Sequence, residues 1–354
     1  MKAYIKNSCA ISPQVDFNGG FPPQSISVYE SEMHCIEPNY KEYFPPLKIR
    51  RMSRLVKMGL TASKVCLANA TLEMPEAVIT ATGWGCLEDT FKFLDDIASK
   101  DNITPSPATF IQSTHNTPGG QIALFLQCQG YNNVFVNGNK SFEYALIDSV
   151  LLLKEGGNNI LVGGLDEISD KDLELKRRAE YWKPNGISNT DMLKHKSKGS
   201  IPGEGSTFFL LSSEKLNCSS CISDVSIFHC PDIEKGLNLK IENFLKTQNL
   251  GLSDIDIVLS GKNGDINIDE AYNSIENLDF KNADFIYYKQ LCGEYDTSSA
   301  YALWLADKII ANQKIPNFTQ GKNPDNRRNI DHILIYNYCS RDKHAIILVS
   351  NAKI

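Results

Sequence analysis

Between Thr109 and Ile168 the sequence alternates in a way that leaves few folds open. The pattern predicts an apolar helix over Ile122–Cys128, a Gly-Tyr-Asn-Asn turn, and a short strand over Val134–Val136. A polar elbow follows, Asn137-Gly-Asn-Lys-Ser141, then an amphipathic helix carrying Ala145, Leu146, Val150 and Leu153, and a strand over Ile160–Val162 that ends at Gly163-Gly164. A strand that turns sharply into a helix sets an elbow residue at the helix N-terminus. Free backbone N–H groups there can polarise a nucleophile or an oxyanion.

A chain of 354 residues with 42% hydrophobic content can bury a core large enough for one big or two fused domains. No run approaches the roughly 20 apolar residues of a spanning helix, and the opening MKAYIKNSCAISP lacks a signal-peptide core, so a cytoplasmic protein without a membrane span is expected. A net charge of −6 with interspersed signs argues against a nucleic-acid partner. The 10 cysteines are scattered, as small hydrophobes with free thiols are. Cys218-Ser-Ser-Cys221 has metal-ligand spacing but no second pair, so neither a metal nor any other cofactor is expected. Lys48, Arg50, Arg51, Arg54 and Lys57, and again Lys176, Arg177 and Arg178, form basic clusters. They read as solvated helix faces, or as a patch that would receive an acidic carrier protein.

Around the central stretch, an alternating strand over Lys2–Ile11 stops at Ser12-Pro13, and Phe21–Tyr43 is irregular. Apolar spacing predicts a helix over Lys48–Ala70, interrupted near Gly59. A strand over Ala77–Thr80 leads through Gly83-Trp-Gly85 into a helix over Leu87–Ile97. Asp170–Ser200 shows no pattern and reads as a loop, ending at Pro202-Gly-Glu-Gly205 before a strand over Thr207–Leu211. The remainder repeats the outline: strand Ser223–Phe228, helix Lys235–Gln248, strand Ile255–Leu259, a loop and helix, strand Phe285–Tyr288, helix Ser298–Ala311, and strands Ile333–Tyr336 and Ala345–Val349. Strands alternating with helices imply an α/β protein with mixed sheets layered between helices.

The order of elements, the interval from Gly130 to Gly164 and the Gly203-Glu-Gly205 segment resemble the β-ketoacyl-acyl carrier protein synthases of the thiolase fold. The resemblance implies two pseudo-repeated halves stacked as five layers αβαβα, with residues 1–214 carrying the elbow and the dimer interface and residues 215–354 forming the second half. It also implies three catalytic groups, and all three are altered here. The family's acyl-accepting Cys falls on Asn139, and an amide nitrogen is not nucleophilic. Its first enolate-binding His falls on Gly261, in a register fixed by Asp269, and its second, in Lys-x-x-x-Gly-His, becomes Glu294 in Lys289-Gln-Leu-Cys-Gly293-Glu294. An ionised carboxylate there would oppose a developing enolate, so Lys289 and Glu294 are expected to form a buried ion pair. Asn139 is expected to persist as an N-cap or a residue tolerant of positive φ. The glycine-rich closing loop of the family corresponds to Tyr338-Cys-Ser-Arg-Asp-Lys343, which lacks the glycines and the gating Phe.

By this resemblance the chain is a catalytically inactive chain-length factor of the aryl polyene or flexirubin-type pigment systems. It would form a heterodimer with an active ketosynthase and meet the acyl carrier protein through that complex. Phe110, Gln112, Thr114, His115 and Asn116 would face the partner and line or close the acyl tunnel. The alternatives are an enzyme with relocated chemistry on Cys128, Cys292 or the Lys289/Glu294 pair, a malonyl-carrier decarboxylase, or a homodimeric acyl-binding scaffold.

Overall fold

Each half of the chain supplies five strands, and the central ones, such as Ala77–Ala81, Ile160–Asp166, Gly205–Ser212 and Ile257–Ser260, are short apolar runs too brief for helices and buried on both faces. The computed structural model describes every residue except 1, 16–20, 22–24, 100–103, 105, 282, 317–328 and 339–342, and the side chain of residue 235. The first half runs β1 (Ala3–Ile11), α1 (Pro46–Ile49), α2 (Arg54–Asn69), β2 (Ala77–Ala81), α3 (Leu87–Ala98), α4 (Pro107–Ser113), α5 (Thr117–Phe125), β3 (Tyr131–Phe135), α6 (Ser141–Lys154), β4 (Ile160–Asp166), α7 (Asp170–Arg178) and β5 (Gly205–Ser212). The second runs β6 (Ser220–His229), α8 (Ile233–Thr247), β7 (Ile257–Ser260), α9 (Asp269–Glu276), β8 (Asp284–Tyr287), α10 (Lys289–Cys292), α11 (Ser298–Asn312), β9 (His332–Tyr338) and β10 (Lys343–Asn351).

The strand order is β3-β2-β4-β5-β1-β6-β10-β9-β7-β8. Read from each outer edge inward, the two halves have the same order and the same directions: a parallel trio, then two antiparallel strands. A short antiparallel ladder, Ala3–Ile5 with Ile222–Ser220, joins the two sheets into one. Buried Asp307 on α11 fastens this seam, accepting from Ser8 Oγ at 2.5 Å and Ser220 Oγ at 2.6 Å. Three apolar clusters mark the layers. One holds α2 and α5 against the first sheet, one holds α8 and α9 against the second, and the largest places α6 and α11 between the two sheets. This is the thiolase arrangement of five layers.

Several local expectations are corrected. The helix of residues 54–69 passes through Gly59 unbroken, and the break falls before Ser53, whose hydroxyl accepts from Val56 N at 3.2 Å as the cap of α2. Gly59 makes room for a neighbour: a Cβ there would lie 2.9 Å from Leu165 Cδ1. The helix expected from Ile122 begins five residues earlier, at Thr117, with Pro118 in its first turn. Tyr131–Asn133 is strand, not turn, because Ala77–Ile79 of β2 supplies parallel partners. The patternless stretch after Asp170 contains α7, which buries little but Leu173; it has acids in its first turn and Lys176, Arg177 and Arg178 in its last, the order that suits a helix dipole. Arg54 is not part of a solvated face. It pairs with Glu204, whose side chain is fully buried.

Candidate functional site

In the parallel parts of both halves, one helix follows the outermost strand and runs back between the sheets: α6 after β3, and α11 after β8 and α10. Their N-termini converge, and the elbow lies at the first. Gly138 takes the left-handed conformation (φ 54°) that its missing side chain permits. Ser141 Oγ donates to Gly138 O and accepts from Asn137 N, both at 2.7 Å. Asn139 is therefore neither N-cap nor left-handed, as had been expected; Lys140 is the cap residue, and Gly138 absorbs the turn. What remains of Asn139 in the network is its carbonyl, which accepts from Asn337 Nδ2 at 3.4 Å.

Asn337 on β9 links the elbow to Gly261, just after β7. Its Nδ2 also donates to Glu143 Oε1 at 2.9 Å, and its carbonyl accepts from buried Lys140 Nζ at 3.1 Å. Its Oδ1 lies 3.3 Å from where a side chain on Gly261 would begin, and that same point is 2.7 Å from the hydroxyls of Tyr272 and Tyr288. The Tyr272 hydroxyl is engaged with both N and O of Tyr338, at 2.8 and 2.5 Å. The Tyr288 hydroxyl, fully buried, has no hydrogen-bond partner among the described residues, and burial pushes its pKa well above the usual tyrosine range. The space a side chain on Gly261 would enter is filled by two tyrosine hydroxyls.

At the start of the connector after α10, Lys289 Nζ meets Glu294 Oε2 at 2.7 Å, and Asn263 Nδ2 donates to the same oxygen at 2.5 Å. Lys289 is buried and Glu294 nearly so. Cys292 is fully buried beside them, whereas Cys128 lies apart near Pro75, so neither cysteine opens onto the elbow. Residues 339–342 of the closing loop lie outside the described residues.

Two carboxylates that sequence reasoning missed complete the site. Asp166, the last residue of β4, accepts from Thr82 Oγ1 (2.9 Å), Gly83 N (2.7 Å), Thr297 N (2.9 Å) and Thr297 Oγ1 (2.8 Å), joining the Gly83 turn to the start of α11. Burial still raises its pKa. Asp296 is raised to about 7, first by burial and then by the Asp166 charge, with Lys176 opposing. Its Oδ1 lies 3.7 Å from the point where a side chain on Gly138 would start, so it stands in front of the elbow. The one sequence signal for Asp166 was its place at the carboxyl end of a parallel strand, where α/β sheets keep their ligands. Asp296 had none, since only the α11 turn brings it to Gly138.

The expected interface residues lie outside the Gly83 turn, where the His115 Cα packs against Gly85. Phe110, His115 and Asn116 are exposed, and Gln112 and Thr114 are half-buried. Gln112 Nε2 donates to Arg51 O at 2.6 Å, and Thr114 Oγ1 and Thr117 Oγ1 share a hydrogen at 2.9 Å. Leu94, Ile97, Phe110 and Ile111 form an exposed apolar surface on α3 and α4, and Leu124 on α5, Tyr131 on the edge strand β3 and Val136 just after it are exposed as well. Among the described residues no helix is long and apolar enough to cross a membrane.

Residues 31–182 match the family described as "Beta-ketoacyl synthase, N-terminal domain". No curated protein matches the sequence. Among solved structures the chain is similar to "The ishigamide ketosynthase/chain length factor", with 15% identity, TM-score 0.80 and 99% of both chains covered. It is similar as well to a β-ketoacyl synthase from Burkholderia phymatum STM815, with 11% identity, TM-score 0.80 and 99% of both chains covered. A third likeness is to a structure of the ketosynthase ApeO in complex with its chain length factor ApeC from Xenorhabdus doucetiae, with 15% identity, TM-score 0.70 and coverage of 99% of this chain and 98% of that one. These likenesses establish the fold over the full length.

Proposed function

We propose, from a ketosynthase-type N-terminal region set inside an end-to-end thiolase fold, that this chain is a non-catalytic chain-length factor. In this reading it pairs with an active β-ketoacyl synthase and shapes the acyl tunnel in type II polyketide assembly of the aryl polyene or flexirubin kind. The observation that carries the reading is the filled position at Gly261. Condensation needs an acyl-accepting nucleophile and donors aimed at the enolate oxygen. This chain offers an amide at Asn139, two crowded tyrosine hydroxyls at Gly261 and a carboxylate tied to Lys289 at Glu294.

Residues 1–214 would then present the partner surface and residues 215–354 would close the cavity behind it. The exposed apolar residues of α3 and α4 support a protein partner, since a patch of this kind is more stable covered than wet. The acyl carrier protein would dock on the pair. Length selection follows because each buried CH2 contributes about 0.8 kcal/mol, so the depth of a tunnel at the interface sets the favoured chain.

Co-expression with a ketosynthase from the same biosynthetic system, followed by sizing, is expected to return a heterodimer. A stable homodimer that ignores the ketosynthase would instead mark an acyl-binding scaffold. Within the heterodimer, Thr114→Trp or His115→Trp is expected to shorten the product, read by mass spectrometry; unchanged length would count against the tunnel assignment. Incubating the isolated chain with an acyl thioester donor should leave no covalent acyl group on it.

A further inference from the structure

A cleft of about 40 Å³ opens between α7 and the connector from α10 to α11, walled by Trp84, Asp166, Glu167, Lys176, Trp182 and Asp296. Asp172 on its rim is paired with Lys176 at 2.9 Å and Glu294 with Lys289 at 2.7 Å, and Asp166 is satisfied by four donors. Glu167 and Asp296 remain. Asp296 receives the Trp84 indole N–H. Glu167 is 6% exposed; its Oε1 accepts from Glu88 N at 3.3 Å, and its Oε2 is buried with no partner among the described residues. A buried carboxylate oxygen without a donor is costly, and a donor bearing positive charge relieves it best. The cleft already displays the matching chemistry: Lys176 Nζ lies 5.8 Å from the Trp84 ring centre and 5.6 Å from that of Trp182, so two indoles flank one ammonium group.

We propose that this cleft binds a second ammonium group, a primary alkylammonium that donates N–H to Glu167 Oε2 and Asp296 and lies against the half-exposed Trp84 ring. The group could belong to a lysine of a partner subunit or to a free amine, since both offer the same head.

Two of the three tryptophans line the cleft, and the third, Trp304, is buried in the central layer, so intrinsic fluorescence of the intact chain reports on binding. Titration with ethylammonium chloride is expected to give a saturable change. Tetramethylammonium, sodium and magnesium chlorides at equal ionic strength should not, because they have no N–H to give. Glu167→Gln should weaken binding at least about tenfold, the scale of one charge-assisted hydrogen bond. Lys176→Met, which removes the resident cation, should strengthen it about threefold or more. Thermal melts of both variants verify the fold, and Lys176→Met decides the matter alone if Glu167→Gln melts early. Equal responses to all four salts, or affinity unmoved by the variants, would overturn the proposal. Repeating the titration on a co-purified complex separates the sources. A response lost on assembly identifies a partner lysine, and one retained identifies a free amine. If no ketosynthase complex forms, the chain-length reading fails while the titration of the single chain still stands.

Discussion

Replacing Glu204 with alanine is expected to destabilise the fold by about 3–5 kcal/mol, lowering the melting temperature by about 4–7 °C. Glu204 is the centre of Gly203-Glu-Gly205, and its side chain is fully buried. Oε2 accepts from Arg54 Nη1 (2.5 Å) and Ile168 N (2.8 Å), while Oε1 accepts from Arg54 Nη2 (2.5 Å) and Cys35 N (2.8 Å) and contacts His34 Nδ1 (3.3 Å). One carboxylate thus ties α2, the segment around Cys35 and the end of β4 to the start of β5, and its loss strands every one of those donors. Burial by itself would raise the Glu204 pKa; the Arg54 and His34 hydrogen bonds overcome it and hold the group at about 2. A depressed folded-state pKa stabilises above the ordinary carboxylate value and ceases to do so as pH falls through the folded one. The contribution should be complete above about pH 4.5 and fade toward pH 2. His34, raised by the same carboxylate, acts in the opposite sense: its share is complete below its ordinary pKa of 6.5 and lost as pH rises through the folded value. Melts of the parent and Glu204→Gln at about pH 3, pH 5 and pH 8 separate the two, since both shares are complete only near pH 5, where the variant gap should be widest. A gap equally wide at all three pH values would refute this account of the network.

Gly261→Ala is expected to cost about 1–3 kcal/mol through overpacking, and Tyr288→Phe to recover part of it. The new methyl would stand 2.7 Å from the Tyr272 and Tyr288 hydroxyls, inside van der Waals contact, on rings that are fully buried. The Tyr272 hydroxyl cannot retreat without breaking its bonds to Tyr338. The Tyr288 hydroxyl has no partner among the described residues, so Tyr288→Phe alone should stabilise by about 1 kcal/mol, the desolvation penalty of an unsatisfied buried group. Denaturant unfolding of the two single variants and the double variant gives the coupling directly. Strict additivity would mean that the hydroxyl does not crowd Gly261. The result bears on function as well, since a cavity that rejects one methyl has no place for an imidazole.

The strands and the repetition of the two halves were legible because short apolar runs such as Ile160–Asp166 and Gly205–Ser212 are buried on both faces and need no tertiary information to be recognised. α7 was not, because a surface helix with one buried residue has no apolar stripe to read; it is supported instead by pairs such as Asp172–Lys176 and Glu174–Arg178. The start of β3 was hidden because Asn132 and Asn133 are poor strand formers, held extended by ladder partners 54 residues away in sequence, as in Val78↔Asn132. At the site, the Lys289–Glu294 pair could be anticipated from five-residue spacing and opposite charge. The tyrosine hydroxyls at Gly261, the amide of Asn337 and the carboxyl of Asp296 could not. They reach the elbow from separate strands and connectors, and no local pattern records that convergence.

The seam between β1 and β6, with α11 lying between the two sheets, also orders events during synthesis. The first sheet has all five of its strands once Ser212 has been made, yet the apolar face turned toward the middle layer gains α11 only after Asn312. At ribosomal rates of about 5–20 residues per second, that face waits roughly 5–20 s for its cover. A nascent chain in that interval displays a broad sticky surface and the free rim of β1, so it is a natural client for chaperones. A fragment truncated after Ser212 should partition into inclusion bodies to a greater extent than the full chain expressed in parallel.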